Sequence, residues 1–273
     1  MLLIMSYVVL LAVYAYAFAT YAVATFLPHS DYDFWHRVMT CAIMIVLALV
    51  NFVGPNIAER SEGFFNVSKL LILLVFVVMG LFAGELSFER LSPADWVSAP
   101  TIIATGMLVF ISYEGFELIA NVSDQVRDKE KNLGYAYFGS VITAMVFYMF
   151  IIVVVIGHLS FEVITASRDY ALSAAAQVFM GKTGFILLSV GAILATASAI
   201  NAGLFGASKL PRMLAREGEA PERYRKKIWG RTPVGLLVIT VLVLVIANFL
   251  DLHALAAAAS SGFIITFLMV NIA

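Results

Sequence analysis

Eight apolar runs, each close to the length of a bilayer crossing, dominate the sequence: residues 2–27, 38–57, 65–83, 100–122, 135–158, 184–207, 233–250 and 254–273. A helix needs about 20 apolar residues to cross a hydrocarbon core of about 30 Å. Inside that core every backbone polar group must be satisfied by the protein itself, which leaves helices or closed barrels. Uninterrupted runs of this length lack the alternation of a barrel strand. The sequence therefore predicts an all-α integral membrane protein with eight transmembrane helices. Charged residues make up 13% of the chain, against about 25% in soluble domains. The first run has no charge before Asp31 and is too long for a signal peptide. It is read as a true span, or as the exposed start of a truncated chain.

Several function classes drop out early. The net charge of −1 gives no attraction for nucleic acid. Cys41 is the single cysteine, so no disulfide can form within the chain. His29, His36, His158 and His253 have no metal-ligand spacing, and no metal or other cofactor is expected. Gly181-Lys182-Thr183 lacks the upstream glycine of a phosphate loop, since position 176 is Ala. No nucleophile stands beside a base, so an enzyme is not expected.

The loops orient the chain. Arg60, Arg127, Lys129, Lys131, Lys209, Arg212, Arg216, Arg223, Arg225, Lys226, Lys227 and Arg231 lie on one side, whereas Arg37, Arg90, Arg168 and Lys182 lie on the other. Lys and Arg mark the cytoplasmic side, so twelve against four places both termini in the cytoplasm. Residues 161–180 read as a short helix on the outer surface, and 209–231 as a cytoplasmic helical hairpin broken at Gly218 and Pro221. The sixth span carries Gly191, Ala195, Ala199, Ala202, Gly203 and Gly206. Such small residues let helices approach closely in lipid, and this span is expected to be central.

The fourth span carries the expensive residues. Ser112, Tyr113, Glu114, Gly115, Phe116 and Glu117 follow one another at its inner half. In an unbroken helix, Glu114, Glu117 and Asn121 share one face and form a polar seam inside the bundle. In a helix broken near Gly115, freed backbone groups need a ligand, an ion or water, and such breaks form transporter sites. Intramembrane acids are functional by default. Lys69 either snorkels to the cytoplasmic surface or sits buried, where desolvation favours loss of its proton. Ser198 and Asn201 either hydrogen-bond between helices or belong to the coupling machinery. Tyr7 and Tyr14 share a helix face and are read as aromatic packing.

Two longer stretches carry a resemblance. Tyr113-Glu114-Gly115-Phe116-Glu117, followed by Asp128-Lys129-Glu130-Lys131-Asn132-Leu133, resembles the sixth helix and next loop of the amino acid–polyamine–organocation transporters. Ser198-Ala199-Ile200-Asn201-Ala202, then Phe205-Gly206-Ala207-Ser208-Lys209, then Ala215-Arg216-Glu217-Gly218 and Pro221, is similar to the eighth helix and its exit loop. Lys69 with Gly80 resembles the fifth helix of the proton-coupled members, and Asn51 with Gly54 the end of the fourth.

The resemblance implies a partial five-plus-five inverted-repeat fold of the leucine-transporter type. The eight spans then stand for helices three to ten, with 1–83 in the first repeat and 100–273 in the second, all within one transmembrane domain. It implies a secondary active transporter of amino acids in the cell membrane, probed from both sides by alternating access and coupled to protons. Ser112, Tyr113, Glu114, Gly115 and Phe116 would contact substrate. Lys69, Glu117, Ser198 and Asn201 would serve coupling and gating. Lys129 and Gly134 stand where the family usually has prolines, and nothing in the chain matches the family's glycine-rich first helix. Two alternatives stay open: a membrane receptor or sensor that does not transport, and an inactive truncated permease fragment.

Overall fold

Among the described residues ten α-helices follow one another: α1 Leu2–Phe26, α2 Tyr32–Val53, α3 Asn56–Phe82, α4 Ala99–Val109, α5 Lys129–His158, α6 Phe161–Ser167, α7 Ala171–Ala207, α8 Leu210–Arg216, α9 Val234–Phe249 and α10 Leu252–Ile272. The computed structural model describes residues 2–27, 29–53, 56–84, 86–93, 96–116, 119, 123, 126–167, 170–225, 227–228 and 232–272. For residues 53, 56–66, 223, 225, 227–228 and 232–233 it describes the backbone alone. Five helical segments are long and apolar enough to cross a membrane: Leu2–Phe26, Tyr32–Phe52, Lys129–His158, Ala171–Arg216 and Leu252–Ile272. Three shorter apolar helices, Val67–Phe82, Ala99–Tyr113 and Val234–Phe249, lie where the other three spans were expected.

The bundle centres on α1. This helix packs against α7, α10, α2 and α9, and half of its most apolar window is buried, against 28% for α7. Ala12, Ala15, Ala19 and Ala22 are all buried at spacings of three and four, a small-residue stripe that admits close neighbours. Glycines on the neighbours meet it. A Cβ on Gly203 of α7 would lie 2.8 Å from Leu11, and one on Gly262 of α10 would run into Ser6. The expected centrality of the sixth span thus holds in part: α7 joins α1 to α3, but α1 is the more enclosed. Tyr7 of α1 packs edge-on against Phe263 at 5.4 Å, in keeping with aromatic packing. At the other end, His36 of α2 is buried, with Nε2 3.1 Å from the Tyr16 carbonyl and 3.2 Å from Thr20 Oγ1.

These close approaches make a test of the packing. Gly262→Val is expected to lower stability by about 1–3 kcal/mol, as overpacking does in a filled core. A thermal unfolding series in one detergent measures it, with the exposed neighbour Ser261→Val as the comparison.

Two connecting regions differ from their expected form. Residues 161–180 are not one surface helix: α6 ends at Ser167, and residues 171–180 form the first turns of α7. A break at Gly181 (φ 65, ψ −158) separates those turns from the long part of α7. Residues 209–231 are a helix followed by a turn and a ladder, not a helical hairpin. The α8 helix stops at Gly218, whose φ of +82 only glycine adopts freely. The Glu219 N–H then donates back to the Leu214 carbonyl at 2.9 Å, which closes a Schellman-type end. Beyond it come the 3₁₀ turn Glu222–Arg225 and a two-residue antiparallel ladder, Lys227 opposite Pro233 and Ile228 opposite Thr232.

Candidate functional site

The α-helical part of the fourth span ends early. After Val109 the chain tightens into a 3₁₀ turn, Phe110–Tyr113, and Glu114 is extended at φ −65, ψ 143. Gly115 follows at φ +119, a backbone angle that L side chains rarely adopt. Of the two readings open from sequence, the broken helix is the one observed. Glu117 lies outside the described residues.

A break in an apolar bundle frees backbone groups that lipid cannot satisfy, and here side chains from two other helices take them up. Ser260 of α10 donates its hydroxyl to the Leu108 carbonyl at 2.7 Å and accepts from the Ile111 N–H at 3.0 Å. Tyr148 of α5 donates to the Ser112 carbonyl at 2.6 Å. The Glu114 N–H closes the turn onto the Ile111 carbonyl at 3.1 Å. Aromatic rings complete the brace. Tyr113 meets Tyr148 edge-on at 5.4 Å, and Phe116 lies against Phe267 of α10 at 5.6 Å and Tyr137 of α5 at 6.2 Å.

The break is therefore gripped from both sides, by α5 and by α10. Ser112 is exposed, while Tyr113, Glu114, Gly115 and Phe116 are half-buried. Both Glu114 carboxylate oxygens are buried. The five residues singled out from sequence as substrate contacts thus run from the end of a 3₁₀ turn through the break that follows it. Held peptide dipoles and a carboxylate in a weakly screened setting suit recognition of a small charged or zwitterionic molecule.

The other candidates lie on different helices. Asn201 of α7 accepts a hydrogen bond from Asn51 Nδ2 of α2 at 2.7 Å, so the interhelical bond weighed from sequence is present. Ser198, on the same helix, is half-buried. Lys69 is half-buried on α3. Three residues on from it, Ile72 packs against Gly191 of α7, where an added Cβ would lie 3.2 Å away. Among the described residues no three His, Cys, Asp or Glu side chains are grouped to hold a metal.

Sequence reasoning missed Tyr148 and Ser260. Tyr148 is one aromatic among many in its span, with no spacing that sets it apart. Ser260 leaves a faint signal: Ser260-Ser261-Gly262 is a polar interruption in an otherwise apolar last span.

A bundle of apolar helices centred on α1, with a broken fourth span whose freed backbone is held by side chains of α5 and α10, fits a multi-pass membrane protein of the permease class. The chain belongs to the amino acid permease family, whose model matches residues 1–273. It is similar to the uncharacterized protein MJ0609 of Methanocaldococcus jannaschii, at 32% identity over 98% of this chain and 61% of that protein. It is also similar to the inner membrane transport protein YbaT of Escherichia coli, at 27% identity over 99% of this chain and 62% of that protein. The lysine-specific permease LysP of Escherichia coli shows 26% identity over 72% of this chain and 44% of its own length. The chain thus spans between 44% and 62% of the lengths of these relatives.

Proposed function

We propose that this chain serves secondary active transport of amino acids by alternating access, coupled to protons. The observation that carries the reading is the broken fourth span, braced by α5 and α10, in a chain of the amino acid permease family. The relatives support the substrate class by name, among them a lysine-specific permease and a serine/threonine exchanger. The methylthioribose transporter of Bacillus subtilis, 26% identical, shows that names within this set extend beyond amino acids.

In this reading Ser112, Tyr113, Glu114, Gly115 and Phe116 contact the substrate, the backbone of the break offering its dipoles to the charged ends. Lys69 takes part in the coupling to protons. Glu117, Ser198 and Asn201 link binding to helix movement. The eight apolar helices cross the membrane, with both termini cytoplasmic by the bias of Lys and Arg. Residues 1–83 belong to the first inverted repeat and 100–273 to the second, as one domain in the cell membrane.

Liposomes reconstituted with the purified chain test this. Counter-flow of labelled amino acids is expected, and an imposed proton gradient is expected to drive accumulation. Lys69→Ala should abolish the gradient dependence while leaving counter-flow measurable. Binding without counter-flow would identify a receptor. The absence of both binding and counter-flow would overturn the transport reading for this chain.

A further inference from the structure

The short helix α8 joins the end of α7 to the start of α9, and it has two unlike faces. Pro211 and Ala215 are buried, and Pro211 packs against the start of α9, where a Cβ on Gly235 would lie 3.2 Å from its ring. Lys209, at the helix start, already has helical backbone angles. Lys209, Arg212, Met213 and Arg216 therefore follow at i, i+3, i+4 and i+7, on the side opposite Pro211 and Ala215. Lys209, Met213 and Arg216 are exposed, Met213 at 55%.

One cation on this face is held in place. The Lys209 ammonium sits 3.5 Å above the Phe205 ring at the last turns of α7. Arg212 is half-buried, and its Nε is buried without a hydrogen-bond partner among the described residues. The surrounding segment 209–231 has eight Lys and Arg against Glu217, Glu219 and Glu222, a net charge of +5.

We propose that this face of α8 binds the phosphate headgroup of an anionic phospholipid in the adjacent leaflet. Clustered cations next to membrane-crossing helices attract anionic lipid. Arginine forks match phosphate oxygens two at a time. The exposed Met213 between the cations favours a lipid over a free anion, because an acyl chain covers its thioether while the flanking Lys and Arg stems reach up to the headgroup. The lipid then ties the α7–α9 connection to the bilayer surface.

Spin-labelled phosphatidylglycerol and phosphatidylcholine, each added to the full chain in phosphatidylcholine vesicles, measure the preference. Wild type is expected to favour phosphatidylglycerol. The triple variant Lys209→Gln, Arg212→Gln, Arg216→Gln should lower that preference by about threefold or more at low salt. If the triple variant does not fold, Arg216→Gln alone at the exposed end is expected to give a smaller fall in the same direction. An unchanged preference in a folded variant overturns the site. An equal fall in Arg37→Gln, Lys182→Gln, which removes charge elsewhere, overturns it as well. Loss of the preference on adding millimolar inorganic phosphate would assign the face to a free anion and overturn the lipid assignment.

Discussion

Ser260→Ala is expected to destabilise the protein and, on the proposed function, to abolish most amino-acid uptake. One hydroxyl on α10 serves two backbone groups of the broken span, the Leu108 carbonyl and the Ile111 N–H. Removing it takes from both the hydrogen bond that reaches them from α10. A buried group left unsatisfied costs about 1–3 kcal/mol, and lipid supplies no substitute. Ser260 is 1% exposed, so water has no easy route to either group. The relaxed state is expected to extend α4 toward a regular helix, which closes the turn that Ser112 to Phe116 form. Thermal unfolding and uptake should fall together. Ser261→Ala, at the exposed neighbour, should stay within about 0.5 kcal/mol of wild type. Equal behaviour of the two variants would show that Ser260 does not hold the break.

The second large effect falls on Gly115. Nothing lies within 4 Å of a Cβ built there, so Gly115→Ala produces no clash. Its φ of +119 is the whole difficulty, and holding alanine in such a region costs about 1–3 kcal/mol. The turn is expected to shift instead, and substrate affinity to fall by about tenfold, the equivalent of strain in that range. Gly106→Ala makes the matched comparison. Gly106 sits in the regular part of α4, also with nothing within 4 Å, and alanine favours a helix over glycine by about 1 kcal/mol. Gly106→Ala should therefore keep uptake and hold or raise stability. Loss of uptake in both would point to the fourth span's surface, not to the angle at Gly115.

Both predictions concern groups that differ in how far the sequence reveals them. Gly115 is legible: a glycine between Glu114 and Phe116 in an apolar span asks for a special backbone or a close approach. Lys69, Glu114 and Asn201 are legible too, since polar groups at such positions need partners. Ser260 and Tyr148 are not. Their roles arise because α10 and α5 arrive beside α4 from sites 149 and 36 residues away along the chain, and no local pattern encodes that meeting. The form of residues 209–231 was hidden for another reason. Gly218 and Pro221 mark the end of α8, but the choice between a second helix and a short ladder depends on how the chain rejoins α9.

By itself the sequence determined that this chain is helical, that it lives in a membrane, which apolar runs form the helices and where a break in the fourth of them would fall. These follow from local facts: bilayer thickness sets run length, lipid forbids bare backbone, and charge is costly away from water. Only the tertiary structure decided that α1 is the most enclosed helix, that the α-helix ends at Val109, and that Ser260 and Tyr148 hold the break open. In lipid, apolar side chains gain little by leaving one apolar surface for another. Helix placement therefore rests on close small-residue contacts and on a few hydrogen bonds, and those depend on the meeting of distant segments rather than on any single one.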